Sequence, residues 1–253
     1  MVSERIRQMT ALHWIILFGG ILVAWFVLMV MSVPAETRAL GQIYGAEFWR
    51  SLCTVTPDLA GFVRIFAMWA LMSFAMMAPT ALPSFATYED LGRSTDVNFS
   101  QLVLGYVIVW FGFSAICAAL QIGLFQAGLV NMFGDSQSVG LSAVLLAIAG
   151  GYQFTLIKDA CLSKCRQPLT FFMQYFEEGP LRNGIRLGLV CVGCCWALML
   201  LAFVGGVMNV AFMGLATVLM VFEKMPDIGR YVTRPLGGIL LLWAGYLILS
   251  LVA

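Results

Sequence analysis

The sequence predicts an all-α protein, a polytopic transmembrane helical bundle of seven spans forming a single integral membrane domain over residues 1–253. Three observations predict it. Hydrophobic residues make up 61% of the 253, with a mean hydropathy of +0.93. Only 11% are charged, less than half of the roughly 25% usual in soluble domains. Those charges gather in short clusters and leave apolar runs long enough to cross hydrocarbon about 30 Å thick. A net charge of +1, with no basic run and no interleaving of aromatic and basic residues, argues against nucleic acid as a partner and leaves the lipid bilayer as the first one.

The spans follow in order. Residues 11–33 form the first, which ends in Ser32, Val33, Pro34, Ala35 and Glu36 rather than at a clean cleavage site, and so reads as a retained helix. The outer connection, 34–64, spaces Leu40, Ile43, Phe48 and Leu52 at helical intervals among Glu36, Arg38, Glu47 and Arg50, as expected of a surface helix capping the outer mouth. Spans two, three and four cover 65–87, 101–126 and 140–156. The inner connection, 158–186, opens with a polar turn and continues at Pro168 into the aromatic-rich stretch 169–176, which predicts an interfacial or re-entrant helix. Spans five, six and seven cover 187–203, 208–222 and 236–251. Only Val204, Gly205, Gly206 and Val207 separate the fifth from the sixth, so six spans is the alternative.

Charge asymmetry decides for seven. With the N-terminus inside and the C-terminus outside, Arg5, Arg7, Arg93, Lys158, Lys164, Arg166, Arg182, Arg186, Lys224, Arg230 and Arg234 all face the cytoplasm, whereas Arg38, Arg50 and Arg64 face out. Positive charge favours the inner side. Merging spans five and six would put the loops holding Lys158 to Arg186 and Lys224 to Arg234 on opposite faces. The expected location is the bacterial inner membrane.

The residues that carry chemistry bear sulfur. On span five Cys191, Cys194, Cys195 and Met199 stand at i, i+3, i+4 and i+8, along one helix face. On span two Met72 and Met76 continue a stripe from Met68, with Met77 beside them and Pro79 beyond. At about 1.5 Å per residue, Met76 lies roughly 16 Å from the outer end of its span and Cys195 roughly 12 Å from the inner end of its own, both near the midplane. Cys161 and Cys165, at i and i+4, sit on the cytoplasmic turn beside Lys158, Lys164 and Arg166, whose charge favours thiolate. Met208 and Met213, near the outer ends of spans five and six, form a possible weaker group, and Cys53 and Cys117 stand alone. Soft thiolate and thioether ligands select Cu(I) over hard ions. Zinc is disfavoured because the single histidine, His13, lies at the start of span one. The bland alternative is packing, since methionine fills gaps and cysteine beside Gly184, Gly188 and Gly193 suits a small-residue helix interface.

Charged candidates are fewer. Glu223 closes span six beside Lys224, either as half of an interfacial pair or as a carboxylate that steers a cation at the cytoplasmic mouth; Lys158 and Arg166 would support the inner thiols. No acid or base is expected deep in a span, which argues against a proton-coupled pump. Trp69-Ala70-Leu71-Met72 recurs as Trp196-Ala197-Leu198-Met199 on an oppositely directed span, the pattern of inverted three-helix repeats with one helix added.

These residues also resemble a family. Met72 with Ala75-Met76-Met77-Ala78-Pro79, Lys158 with Cys161, Cys165, Arg166 and Pro168, and Gly188 with Cys191, Gly193-Cys194-Cys195-Trp196, Gly206, Met208, Met213 and Glu223-Lys224 are similar to the bacterial integral membrane family called domain of unknown function 2182. The resemblance covers residues 60–230 and implies metal binding. Many relatives carry a histidine just before the second cysteine of the inner turn, where this chain has Lys164, so an inner site here would be weaker or thiolate only.

Three functions remain open on this reading. The first is a copper-handling membrane protein, a permease or a donor to a partner cuproenzyme, exchanging metal with a soluble metallochaperone; on that reading a carrier is expected rather than an enzyme, with no catalytic residue assigned. The second is a structural or assembly subunit of a larger membrane complex. The third is a membrane thiol redox protein using Cys194 and Cys195 with Cys161 and Cys165.

Overall fold

A computed structural model describes residues 12–32, 54–92 and 98–252. The expected outer surface helix falls largely outside those residues, as do Arg5, Arg7, Arg38, Arg50, Cys53 and Arg93.

Helix α1 (Leu12–Ser32) is apolar all round, and its buried residues Trp14, Leu17, Ile21, Ala24, Leu28 and Met31 recur every three or four positions to make one seam. The rest of its surface, including Leu22 and Phe26, is exposed and suited to lipid. That seam packs on α2 (Leu59–Leu91), whose first turn is capped by Asp58 accepting from the Gly61 amide. Thr56 also donates to Asp58, and these bonds hold its carboxyl below the usual range. Pro79 inside α2 lacks the N–H that would bond the Ala75 carbonyl. Trp25 of α1 supplies the missing donor, its Nε1 lying 2.9 Å from that oxygen.

Helix α3 (Phe99–Gln126) starts on an Asn98 cap, and α4 (Val139–Tyr152) on a Ser138 cap. α4 bends by 62° into α5 (Leu156–Arg166), capped by Thr155. Pro168 then opens α6 (Pro168–Tyr175), the helix expected in the inner connection; Phe172 is buried against Tyr88 while Met173 is exposed. A single 3-10 turn and Gly179, at φ +86°, lead into α7 (Pro180–Leu200). The chain does break here, but at 206–209 rather than 204–207: α8 (Ala202–Gly205) ends at Gly206 with φ +93°, and α9 (Val210–Lys224) restarts on an Asn209 cap. α10 (Gly229–Val252) completes the chain.

Connecting segments meet at two ends. At one, the Val55 amide bonds the Met132 carbonyl, the Ser136 amide the Phe203 carbonyl, and Asp135 accepts from Val207. At the other, Glu89 of α2 accepts from Trp14 and contacts His13 of α1, and α5 meets the C-terminal end of α9.

Among the described residues five helices are long and apolar enough to cross a membrane, and the bent α4–α5 pair makes a sixth if it counts as one broken span. α9 has 15 residues, a length of only about 22 Å against roughly 30 Å of hydrocarbon. The two Trp-Ala-Leu-Met segments have different surroundings: Trp69 is fully buried and donates to Gln121, whereas Trp196 is half-buried against the Tyr152 ring.

Candidate metal centre

The site begins with glycine. A Cβ on Gly105 of α3 would strike the Leu181 carbonyl, one on Gly184 of α7 the Leu102 carbonyl, and one on Gly188 would come 2.8 Å from Cβ of Val109. α3 and α7 therefore touch nearly backbone to backbone. Gly184, Gly188, Cys191 and Cys195 continue one stripe at helical spacing, so the close approach brings α3 side chains onto the cysteines. Tyr106 of α3 places its hydroxyl 3.1 Å from Cys191 Sγ while donating to the Met77 carbonyl of α2 at 3.0 Å.

Cys191, Cys194 and Cys195 are buried, and their three Sγ atoms all lie within 4.8 Å of one another. The Sγ atoms of Cys194 and Cys195 are 3.2 Å apart. A fourth thiol joins from α5: Cys165, half-buried, has its Sγ 4.0 Å from that of Cys194. Its partner on the turn, Cys161, packs its Sγ where a Cβ on Gly193 would stand, beside the trio but against backbone. All six cysteines among the described residues are free thiols.

On the other side of Cys191 stands a cation. Lys224, at the end of α9, reaches 3.0 Å from Cys191 Sγ and 2.6 Å from the Thr80 hydroxyl. Neighbouring Glu223 does not sit at an open mouth. It is 1% exposed, and both its carboxylate oxygens accept from Lys158, itself 0% exposed, at 3.0 and 3.1 Å. Arg166 binds the Glu223 carbonyl through Nε at 2.9 Å. Lys158 stands in the first turn of α5 and Glu223 in the last turn of α9, and burial of the acid is possible because its counter-charge comes from another helix.

The predicted methionines divide by role. Met72, Met76, Met77 and Met199 are all buried in the same core as the thiols, and Met77 touches the site through its carbonyl. Met213 is buried in that core and Met208 packs against it. Sequence reasoning missed Tyr106, Thr80 and the part played by Lys224. A lone tyrosine hydroxyl within an apolar helix needs a buried partner, which is the signal that could have found Tyr106.

The donor set suits a soft ion. Three sulfurs held about 2.3 Å from one metal in a plane lie roughly 4 Å apart, within the 4.8 Å that bounds the trio, with Cys194 and Cys195 nearer than that at 3.2 Å. The family model PpoB2, described as copper chaperone, matches residues 66–247. The chain belongs to that family. The stretch matched holds the residues described above, from Met72 of α2 to Lys224 of α9, and leaves out α1. No curated protein and no solved structure matches the chain. Membership of a copper chaperone family, a buried three-thiol cluster and long apolar helices together fit a copper-handling membrane protein.

Proposed function

We propose that this PpoB2-family protein holds Cu(I) as cargo on Cys191, Cys194 and Cys195 and passes it through Cys165 to a partner, acting as a donor rather than a permease. The observation that carries the proposal is the convergence of three buried Sγ atoms within 4.8 Å, with the half-buried fourth at 4.0 Å from Cys194. Three thiolates and Cu(I) sum to two negative charges, and the Lys224 ammonium offsets one of them where little water can. Ligand exchange needs an incoming thiolate before the outgoing one leaves, and Cys165 stands within one sulfur-to-sulfur step of the trio. Met72, Met76, Met77 and Met199 form the soft wall around it, Cys161 supports the exchange thiol, and Lys158, Glu223 and Arg166 fix α5 against α9. The description of the family as copper chaperone favours a donor.

The same reading gives seven crossings with the N-terminus and Cys165 on the cytoplasmic side of a bacterial inner membrane. The connecting segments meeting at two ends support it, since α9 runs from one gathering to the other. Short helices such as α9 are accommodated by local thinning of the bilayer. A soluble metallochaperone or a membrane cuproenzyme complex would meet the inner thiols.

The test is elemental analysis of the purified full chain, with copper, zinc and iron measured together after anaerobic loading. One copper per chain, lost when Cys191, Cys194 and Cys195 are replaced by Ser, is the expected result. Full copper retention by that triple variant would sink the proposal.

A further inference from the structure

Away from the thiols, α5 and α10 enclose a cleft of about 720 Å³, lined by Asp159, Ser163 and Arg166 from one helix and by Arg230, Thr233 and Arg234 from the other, with Tyr231 and Pro235. It falls within the roughly 300–1,000 Å³ typical of small-ligand sites. Three guanidinium groups face one carboxylate there. Glu223, whose carbonyl Arg166 bonds, has its carboxylate taken by Lys158, and among the described residues Arg230 and Arg234 have no ion-pair partner. Arg166 is already oriented, through the Glu223 carbonyl and the Thr233 hydroxyl at 3.5 Å. A net positive cleft with one arginine held in place and two on an exposed rim is suited to an anion with several acceptor oxygens, which is phosphate chemistry.

What lies beyond the cleft on α10 names the source of that phosphate. Tyr231, Arg234, Gly238, Leu242, Tyr246 and Leu249 recur at three- and four-residue spacing and so share one face. Tyr231 is 80% and Leu242 76% exposed, and a Cβ on Gly238 would meet nothing. The face therefore runs from cations and an interfacial aromatic into an uncovered apolar strip, the order in which a phospholipid presents its head group and acyl chain.

We propose that this cleft is a binding site for the phosphate of an anionic phospholipid, with an acyl chain lying along the exposed strip of α10. The site is argued separately from the copper reading and shares with it α5 and Arg166, which follows Cys165 and also braces α5 against α9.

The full chain, purified in detergent and mixed with equal amounts of phosphatidylglycerol and phosphatidylcholine of identical acyl chains, tests this by native mass spectrometry. Retention of phosphatidylglycerol should exceed that of phosphatidylcholine, and the excess should fall about fivefold for each arginine removed in R234Q and then R230Q/R234Q. Because R234Q changes a single exposed rim residue, it gives a reading even if the double variant fails to fold. Inorganic phosphate at millimolar concentration should not displace the lipid. Displacement by phosphate would mean a free-phosphate site and would overturn the proposal. Equal phosphatidylglycerol retention by wild type and R234Q would overturn it too, as expected if the cleft took an acidic peptide instead.

Discussion

Lys224 Nζ lies 3.0 Å from Cys191 Sγ, a cation from the end of α9 placed against the first thiol of the α7 cluster. Its other bond, to Thr80 of α2 at 2.6 Å, fixes it there. If it balances a loaded thiolate site, Lys224→Met weakens Cu(I) binding. A hydrogen bond to a charged group contributes about 1.5–3 kcal/mol, so the loss should be roughly 10- to 100-fold in affinity. Competition with a chromogenic Cu(I) chelator measures it, and Lys224→Arg, which keeps the charge, should retain part of the affinity.

The pair formed by Lys158 and Glu223 makes a different prediction. Both side chains are buried, so replacing either alone strands the other's charge at a cost of about 3–5 kcal/mol. Glu223→Leu or Lys158→Met should each lower the melting temperature in detergent by many degrees. Combining the two should recover most of that loss, because an apolar pair leaves no buried charge. A steering role for Glu223 would instead change copper uptake while leaving stability unmoved.

Much of this was legible in the sequence, and the reasons can be read residue by residue. Apolar length and the grouping of charges located the helices, because a bilayer allows few other structures. The i, i+3, i+4 spacing located the thiol trio, because three residues on one helix turn need no tertiary information to converge. Contacts between distant helices were not legible. Nothing in the local spacing of Cys165 shows that a 62° bend between α4 and α5 carries it to Cys194. Nor does Glu223-Lys224 reveal that two adjacent charged residues part company, the acid to Lys158 and the base to Cys191. The Trp-Ala-Leu-Met echo shows the same limit, since Trp69 bonds Gln121 whereas Trp196 meets the Tyr152 ring edge to face.

Trp25 and Pro79 form a further testable relationship. The proline leaves the Ala75 carbonyl without its helical donor, and the indole of Trp25 replaces it across the α1–α2 contact. Trp25→Phe keeps one aromatic ring and removes the donor together with the indole's second ring, so it should cost at least about 1–3 kcal/mol, the penalty for an unsatisfied buried polar group. In a Trp25→Phe/Pro79→Ala background the alanine N–H can take the carbonyl, and the penalty of the first substitution should shrink. Unfolding of the four proteins of this double-mutant cycle in detergent measures the coupling.

Cys165 separates holding copper from handing it on. Its sulfur is 4.0 Å from that of Cys194 and half-buried, whereas the trio is buried. If the trio holds the ion and Cys165 is the incoming ligand in each exchange, Cys165→Ser should leave the copper content near that of the wild type. Transfer to an external thiol acceptor should slow by roughly tenfold or more, a barrier change of about 1.4 kcal/mol at least. Cys194→Ser should do the reverse, lowering the amount bound whatever the rate. Stopped-flow transfer to a chelating acceptor, read with elemental analysis of the same samples, distinguishes the two. A Cys165→Ser protein that loses its copper outright would make that residue a fourth ligand of a closed site, which is the geometry of a metal kept rather than passed on.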